Sequence, residues 1–168
     1  MNTISNGEFK VNWSTLVLVA LGFWLSGSLV LDLVIIPGLS ASGMMAQGSF
    51  ASVGYLIFGI FNRIELVCAA LILSGFLVFR RNHQITHHQE TWSVVLSSLL
   101  LLIALIYTYI LTPELSSLGL QLNLLDSANG IPAAMIPMHG FYWGLEVIKF
   151  VAGFTLLRWC YRDSCAIQ

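Results

Sequence analysis

Four long apolar stretches, at about residues 13–36, 50–79, 91–112 and 139–160, leave this chain few folds to choose from. The hydrocarbon core of a bilayer is crossed by about 20 residues of helix, and each stretch reaches or exceeds that length. In lipid, every backbone N–H and C=O must find a partner within its own segment, which a helix achieves and a lone strand does not. The chain is 57% hydrophobic and 9% charged, against about a quarter charged in an ordinary soluble domain, so its outside as well as its core has to be apolar. The expected fold is all-α: a polytopic membrane protein, one integral membrane domain over residues 1–168, built as a bundle of four transmembrane helices.

Prolines and charges mark the expected ends. Pro37 and Gly38 close the first stretch, Arg80 and Arg81 stop the second, and Pro113 ends the third. The second is longer than a bilayer requires and must tilt or protrude. Leu115, Leu118, Leu122 and Leu125 recur at helical spacing behind Pro113 and Glu114, which predicts a short interfacial helix between the third and fourth spans. Gly130, Pro132 and Pro137 then reset the chain before the last span. Lys10 followed by an apolar run resembles a signal peptide, but the run continues to Ile36, the pattern of a retained anchor.

The remaining cations speak to orientation. Lys10, Arg80, Arg81, Arg158 and Arg162 fall in the two termini and the second connection, which four crossings bring to one side, and the other two connections contain no lysine or arginine. Translocating such residues is disfavoured, so both termini are expected in the cytoplasm, with Trp13, Trp92, Trp159 and Tyr161 as an inner aromatic belt. A basic stripe suited to nucleic-acid phosphates is missing, and the bilayer itself is the expected partner. Cys68, Cys160 and Cys165 have no paired or zinc-type spacing and read as reduced thiols.

Asp32, Arg63, Glu65, Glu146 and Lys149 lie inside the predicted spans and are the sharpest chemical signal. A charge at the bilayer centre costs roughly 2.5–3.5 kcal/mol on insertion scales, so these groups are expected to face one another or a wet cavity. Arg63 and Glu65 are two positions apart and point to nearly opposite sides, whereas Glu146 and Lys149 share a face. The pairing that follows sets Arg63 against Glu146 or Asp32 and Glu65 against Lys149, with Asn62 adding hydrogen bonds on the face of Glu65. The same charges also fit a purely structural clasp that fixes helix register.

A softer constellation, Met44 and Met45 with Met135, Met138 and His139, has the thioether and imidazole chemistry of a Cu(I) site, and equally that of ordinary apolar packing. His139 also fits a proton carrier at the start of the last span. His83, His87 and His88 read as a solvated loop. Gly22 with Ser26 and Gly140 with Gly144 have the four-residue spacing of close helix packing. The chain has no nucleophile elbow, phosphate loop or His-Glu-x-x-His helix, so nothing points to an enzyme.

Three segments carry a family resemblance: Phe23-Trp24-Leu25-Ser26-Gly27-Ser28-Leu29 with Asp32 and Pro37, Phe61-Asn62-Arg63-Ile64-Glu65, and Met138-His139-Gly140-Phe141. Together they resemble the transmembrane protein 205-like family, whose bacterial members, some from photosynthetic bacteria, are small four-helix membrane proteins. That family is in turn distantly similar to copper-resistance D type proteins. The resemblance implies a compact bundle in a bacterial inner or thylakoid-type membrane, with Asp32, Asn62, Arg63, Glu65 and His139 as site positions, and no particular activity. Copper enters only through the distant relation, with no methionine-rich tract or Cys-x-x-Cys pair beside it.

Two functions from different classes follow. The first binds or passes an ion, proton or small ligand through a charged bundle centre. The second is an accessory or assembly subunit, joined through its apolar faces to further copies or to a larger photosynthetic or respiratory membrane complex. A haem or quinone oxidoreductase fits less well, since axial haem ligands in a bundle are usually histidines and only His139 lies near the membrane.

Overall fold

The computed structural model describes residues 12–42, 50–81, 87–117 and 135–166, each segment built on one long helix. Helix α1 covers Trp13–Val30 and continues through a π-helical turn, Leu31–Ile35, into Ile36–Ala41. Helix α2 is Phe50–Arg81; α3 is His87–Ile106, carried on by a π-helical turn, Tyr107–Leu111, and residues 112–117; α4 is Met135–Ala166. Asn12 starts α1, its Oδ1 accepting from the Thr15 N–H at 3.4 Å. Four stretches within these helices, Trp13–Leu39, Val53–Arg81, Gln89–Ser117 and Pro137–Arg162, are long and apolar enough to cross a membrane. The protein is thus a four-helix, all-α, multi-pass bundle. Most of the interfacial helix expected between the third and fourth spans, residues 118–134, lies outside the described residues.

The helix ends correct the sequence reading in an instructive way. Pro37 and Pro113 do not end their helices, which run on to Ala41 and to residue 117. In each case a π turn is closed by the residue just before the proline: the Ile36 N–H bonds Leu31 O, and the Thr112 N–H bonds Tyr107 O. A proline ring collides with the carbonyl four residues back, and one extra residue in the preceding turn moves that carbonyl aside without opening the helix. Lipid forbids an unsatisfied helix break, so the distortion is absorbed in place. Pro137 likewise sits inside the first turn of α4, where its missing N–H has no acceptor to lose. At the other face, α3 begins at His87, so Glu90 belongs to its first turn and is buried.

The helices form a closed ring, each packing on its chain neighbours and α4 returning to α1. The core of one half holds Val17, Leu21, Ile72, Phe76, Leu100 and Leu156. Outside it, Phe23, Leu33, Leu56, Val67, Leu102 and Val151 are exposed, a surface that suits lipid rather than water. Since lipid tails are as apolar as leucine, burial alone does not draw these helices together; close packing must. Gly75 and Gly153 supply it: a Cβ on Gly75 would strike Val17 Cγ2, and one on Gly153 would lie 2.7 Å from Leu25 Cδ2. The pairs expected to serve that purpose do not, because a Cβ on Gly22, Gly140 or Gly144 would meet nothing within 4 Å. Hydroxyls facing lipid are satisfied within their own helices, as in Ser74 to Ala70 O at 2.8 Å and Thr155 to Val151 O at 2.7 Å.

Candidate functional site

The polar residues that the four helices turn inward meet in one buried cluster. On α1, Trp24, Ser28 and Asp32 recur every fourth residue and share a face, while on α4 Tyr142, Glu146 and Lys149 share a face at spacings of four and three. Helix α2 adds Glu65, and α3 adds Tyr107 at the first position of its π turn. Asp32 sits in the other π turn. Such wide turns are frequent at functional sites because they rotate a side chain away from its regular position.

Lys149 is the hub. Its Nζ donates to Glu65 Oε1 at 2.9 Å and to Glu146 Oε1 at 2.7 Å, and the side chains of all three are at most 3% exposed. Glu65 Oε1 also accepts from Trp24 Nε1 at 2.7 Å and from Ser28 Oγ at 3.0 Å. The Tyr107 ring lies beside the ammonium, 5.3 Å from centroid to Nζ. Toward the other end the Tyr142 hydroxyl donates to Asp32 Oδ1 at 2.9 Å, and the Tyr107 hydroxyl donates to the Tyr142 carbonyl at 3.3 Å. The two tyrosine rings are 5.3 Å apart and join the two parts of the cluster. Asp32 and Glu65 are both within electrostatic reach of Glu146.

One regularity runs through the three acids. Each carboxyl group has one oxygen held by donors and one buried oxygen without a hydrogen-bond partner: Asp32 Oδ2, Glu65 Oε2 and Glu146 Oε2. The cluster thus holds three carboxyl groups and one ammonium, which bonds two of them, an imbalance that an apolar interior cannot hold if all three are ionised. Among the described residues no three His, Cys, Asp or Glu gather closely enough to hold a metal ion: Glu65 and Glu146 meet at Lys149, while Asp32 is held apart from them by Tyr142.

That path runs from mid-membrane toward one face. Counted at about 1.5 Å per residue, Glu65 lies about 18 Å from Val53, Lys149 about 18 Å and Glu146 about 14 Å from Pro137, and Asp32 about 10 Å from Leu39. On the other side of Glu65 the bundle closes with the apolar packing of Leu21, Ile72, Phe76, Leu100 and Leu156. A smaller polar tie flanks the cluster, where Asn62 Nδ2 donates to Thr112 Oγ1 at 2.6 Å.

The expected residues separate clearly in this geometry. Glu65, Glu146, Lys149 and Asp32 come together, and Asn62 is buried near them. The partnership expected of Glu65 and Lys149 is present. Arg63 corrects the reading: it is exposed on the outside of α2, with neither Glu146 nor Asp32 as its partner. A helix that turns Glu65 inward turns a residue two positions away outward, and Lys149 already supplies the cation that Glu146 needs. His139 is exposed in the first turns of α4, and Met138 is half-buried. Met44 and Met45, and the side chain of Met135, the other members of the copper constellation, lie outside the described residues. Trp24, Ser28, Tyr107 and Tyr142 belong to the cluster and were not expected. Their sequence signal is the helical spacing that ties Trp24 and Ser28 to Asp32, and Tyr142 to Glu146 and Lys149.

In comparisons with family models, with curated proteins and with solved structures, the chain matches none of them.

Proposed function

We propose that this membrane protein binds protons at its buried carboxyl groups and exchanges them with one side of the membrane through Asp32 and Tyr142. The observation that carries the reading is the pairing, in each of Asp32, Glu65 and Glu146, of a donor-held oxygen with a bare buried one. Donors on one oxygen fix the carboxyl orientation, and the other oxygen is where a proton settles the charge that Lys149 leaves uncompensated. Glutamates and aspartates inside membrane helices mark proton and ion routes by default. A proton is favoured over a metal cation because the Lys149 ammonium already occupies the point where Glu65 and Glu146 meet. Binding is favoured over free passage because Leu21, Ile72, Phe76, Leu100 and Leu156 fill the core beyond Glu65, where the buried Ser93 and Ser97 hydroxyls bond carbonyls of their own helix.

The distribution of lysine and arginine supports both termini on the cytoplasmic side, so that Asp32 and Tyr142 are the members nearest the opposite face. The π turns at Leu31–Ile35 and Tyr107–Leu111 support exchange there, since each is followed by a proline and loosens the regular ladder next to a cluster residue. The test uses the protein reconstituted in vesicles, with a pH dye confined to one compartment and a pH step applied to the other. Wild type is expected to take up protons from the Asp32 side alone, and the Asp32→Asn variant to take them up more slowly. Equal uptake from both sides, or none in wild type, overturns the reading.

A further inference from the structure

We propose that Arg63 anchors a transmembrane helix of another protein, one that carries an aspartate or glutamate at matching depth. Arg63 is exposed on α2 about 15 Å in from the end of its span at Val53, and Leu56, Ile60 and Val67 on the same side of the helix are exposed as well. A guanidinium without a partner among the described residues, on an apolar, lipid-facing surface at that depth, carries the insertion penalty already given, and escape to the headgroups serves residues nearer a helix end. Gly59, one turn away, leaves open space where a Cβ would stand, so a second helix can approach closely beside the guanidinium.

The identity of the partner follows from where the chain's own acids are. Asp32, Glu65 and Glu146 are buried inside the bundle, Glu90 is buried at the far end of its span, and the exposed Glu114 lies close to the end of its helix. Among the described residues no exposed carboxylate stands at the depth of Arg63, so the described faces of a second copy have none to present. The missing charge has to come from a different polypeptide, and guanidinium and carboxylate pair well through parallel hydrogen bonds. This inference is separate from proton binding, because Arg63 faces away from the cluster.

The test measures energy transfer in phosphatidylcholine vesicles between the labelled full-length protein and synthetic polyleucine spanning peptides with a central Glu, Gln or Lys. Wild type is expected to bind the Glu peptide roughly five- to thirtyfold more tightly than the Gln peptide. R63Q is expected to lose that difference, and R63E to prefer the Lys peptide. Should R63E fail to incorporate, R63Q decides alone, since it keeps a polar side chain and removes only the charge. Equal binding of Glu and Gln peptides by wild type, or a preference that survives in R63Q, overturns the proposal. Self-association that depends on Arg63 overturns it in favour of a second copy, and an Arg63-dependent preference for anionic lipid overturns it in favour of headgroups. R63Q is expected to take up protons as wild type does, so the two proposals fail separately.

Discussion

Replacing Lys149 by methionine tests the cluster where it is most exposed to error. The substitution keeps a long, slim side chain and deletes both charge-assisted hydrogen bonds, at 2.9 Å to Glu65 and 2.7 Å to Glu146. If only hydrogen bonds mattered, two of average strength in a membrane protein would amount to about 1 kcal/mol. The larger effect is electrostatic, because Lys149 is the one cation among the described residues of the cluster, and its loss strands buried carboxylates. Breaking a buried pair by removing one partner destabilises by about 3–5 kcal/mol, or roughly 10²- to 10⁴-fold in the folding equilibrium. The loss is expected to be greatest at high pH, where the stranded groups are charged, and to shrink as pH falls and protons neutralise them. Unfolding by sodium dodecyl sulfate titration, followed by helical circular dichroism across that pH range, reads it directly. The triple variant E65Q/E146Q/K149M removes every charge of the triad with little change of shape and is expected to recover most of the stability. If K149M is as stable as wild type at every pH, or the triple variant is no better than K149M, the electrostatic account is wrong.

Other perturbations address other parts of the structure. Tyr142→Phe removes the only donor to Asp32 among the described residues and is expected to cost about 1.5–3 kcal/mol in the same unfolding assay; no change means that Asp32 does not depend on it. Gly75→Leu drives a side chain into Val17 and is expected to destabilise by about 1–3 kcal/mol, whereas Gly144→Ala, with open space around it, is expected to stay within about 0.5 kcal/mol of wild type. The opposite order contradicts the helix packing described here.

The four spans were legible because a membrane helix needs only length and apolarity, both of which a sequence carries openly. Their ends were not, because a proline reads as a stop and nothing in the letters announces the π turn that lets Pro37 and Pro113 pass. For Arg63, charge points inward and helical phase points outward, and phase decides. Asn62, Glu65, Ala69, Ile72 and Phe76 recur at three and four and are all buried, while Leu56, Ile60 and Val67 share the exposed side with Arg63, so the phase already favoured Glu65 over its neighbour. The uncharged members of the cluster were harder to see. Trp24 and Tyr107 both pass for apolar core; the spacing of Trp24 to Asp32 sets it apart, and nothing along α3 does the same for Tyr107. The glycines failed for a related reason: a four-residue spacing is necessary for close approach but does not say which face meets a neighbour, as Gly140 and Gly144 show.

The most direct test of the proton-binding cluster is infrared difference spectroscopy on the protein in a bilayer during a pH step, read in the carbonyl region of protonated carboxylic acids. Wild type is expected to show a carboxylic-acid band that appears as pH falls, shifts on exchange into heavy water and is lost from the D32N/E65Q/E146Q variant. A spectrum without any such band at any pH, or a band of equal size in that variant, contradicts the claim that these three buried acids are where the protein holds its protons.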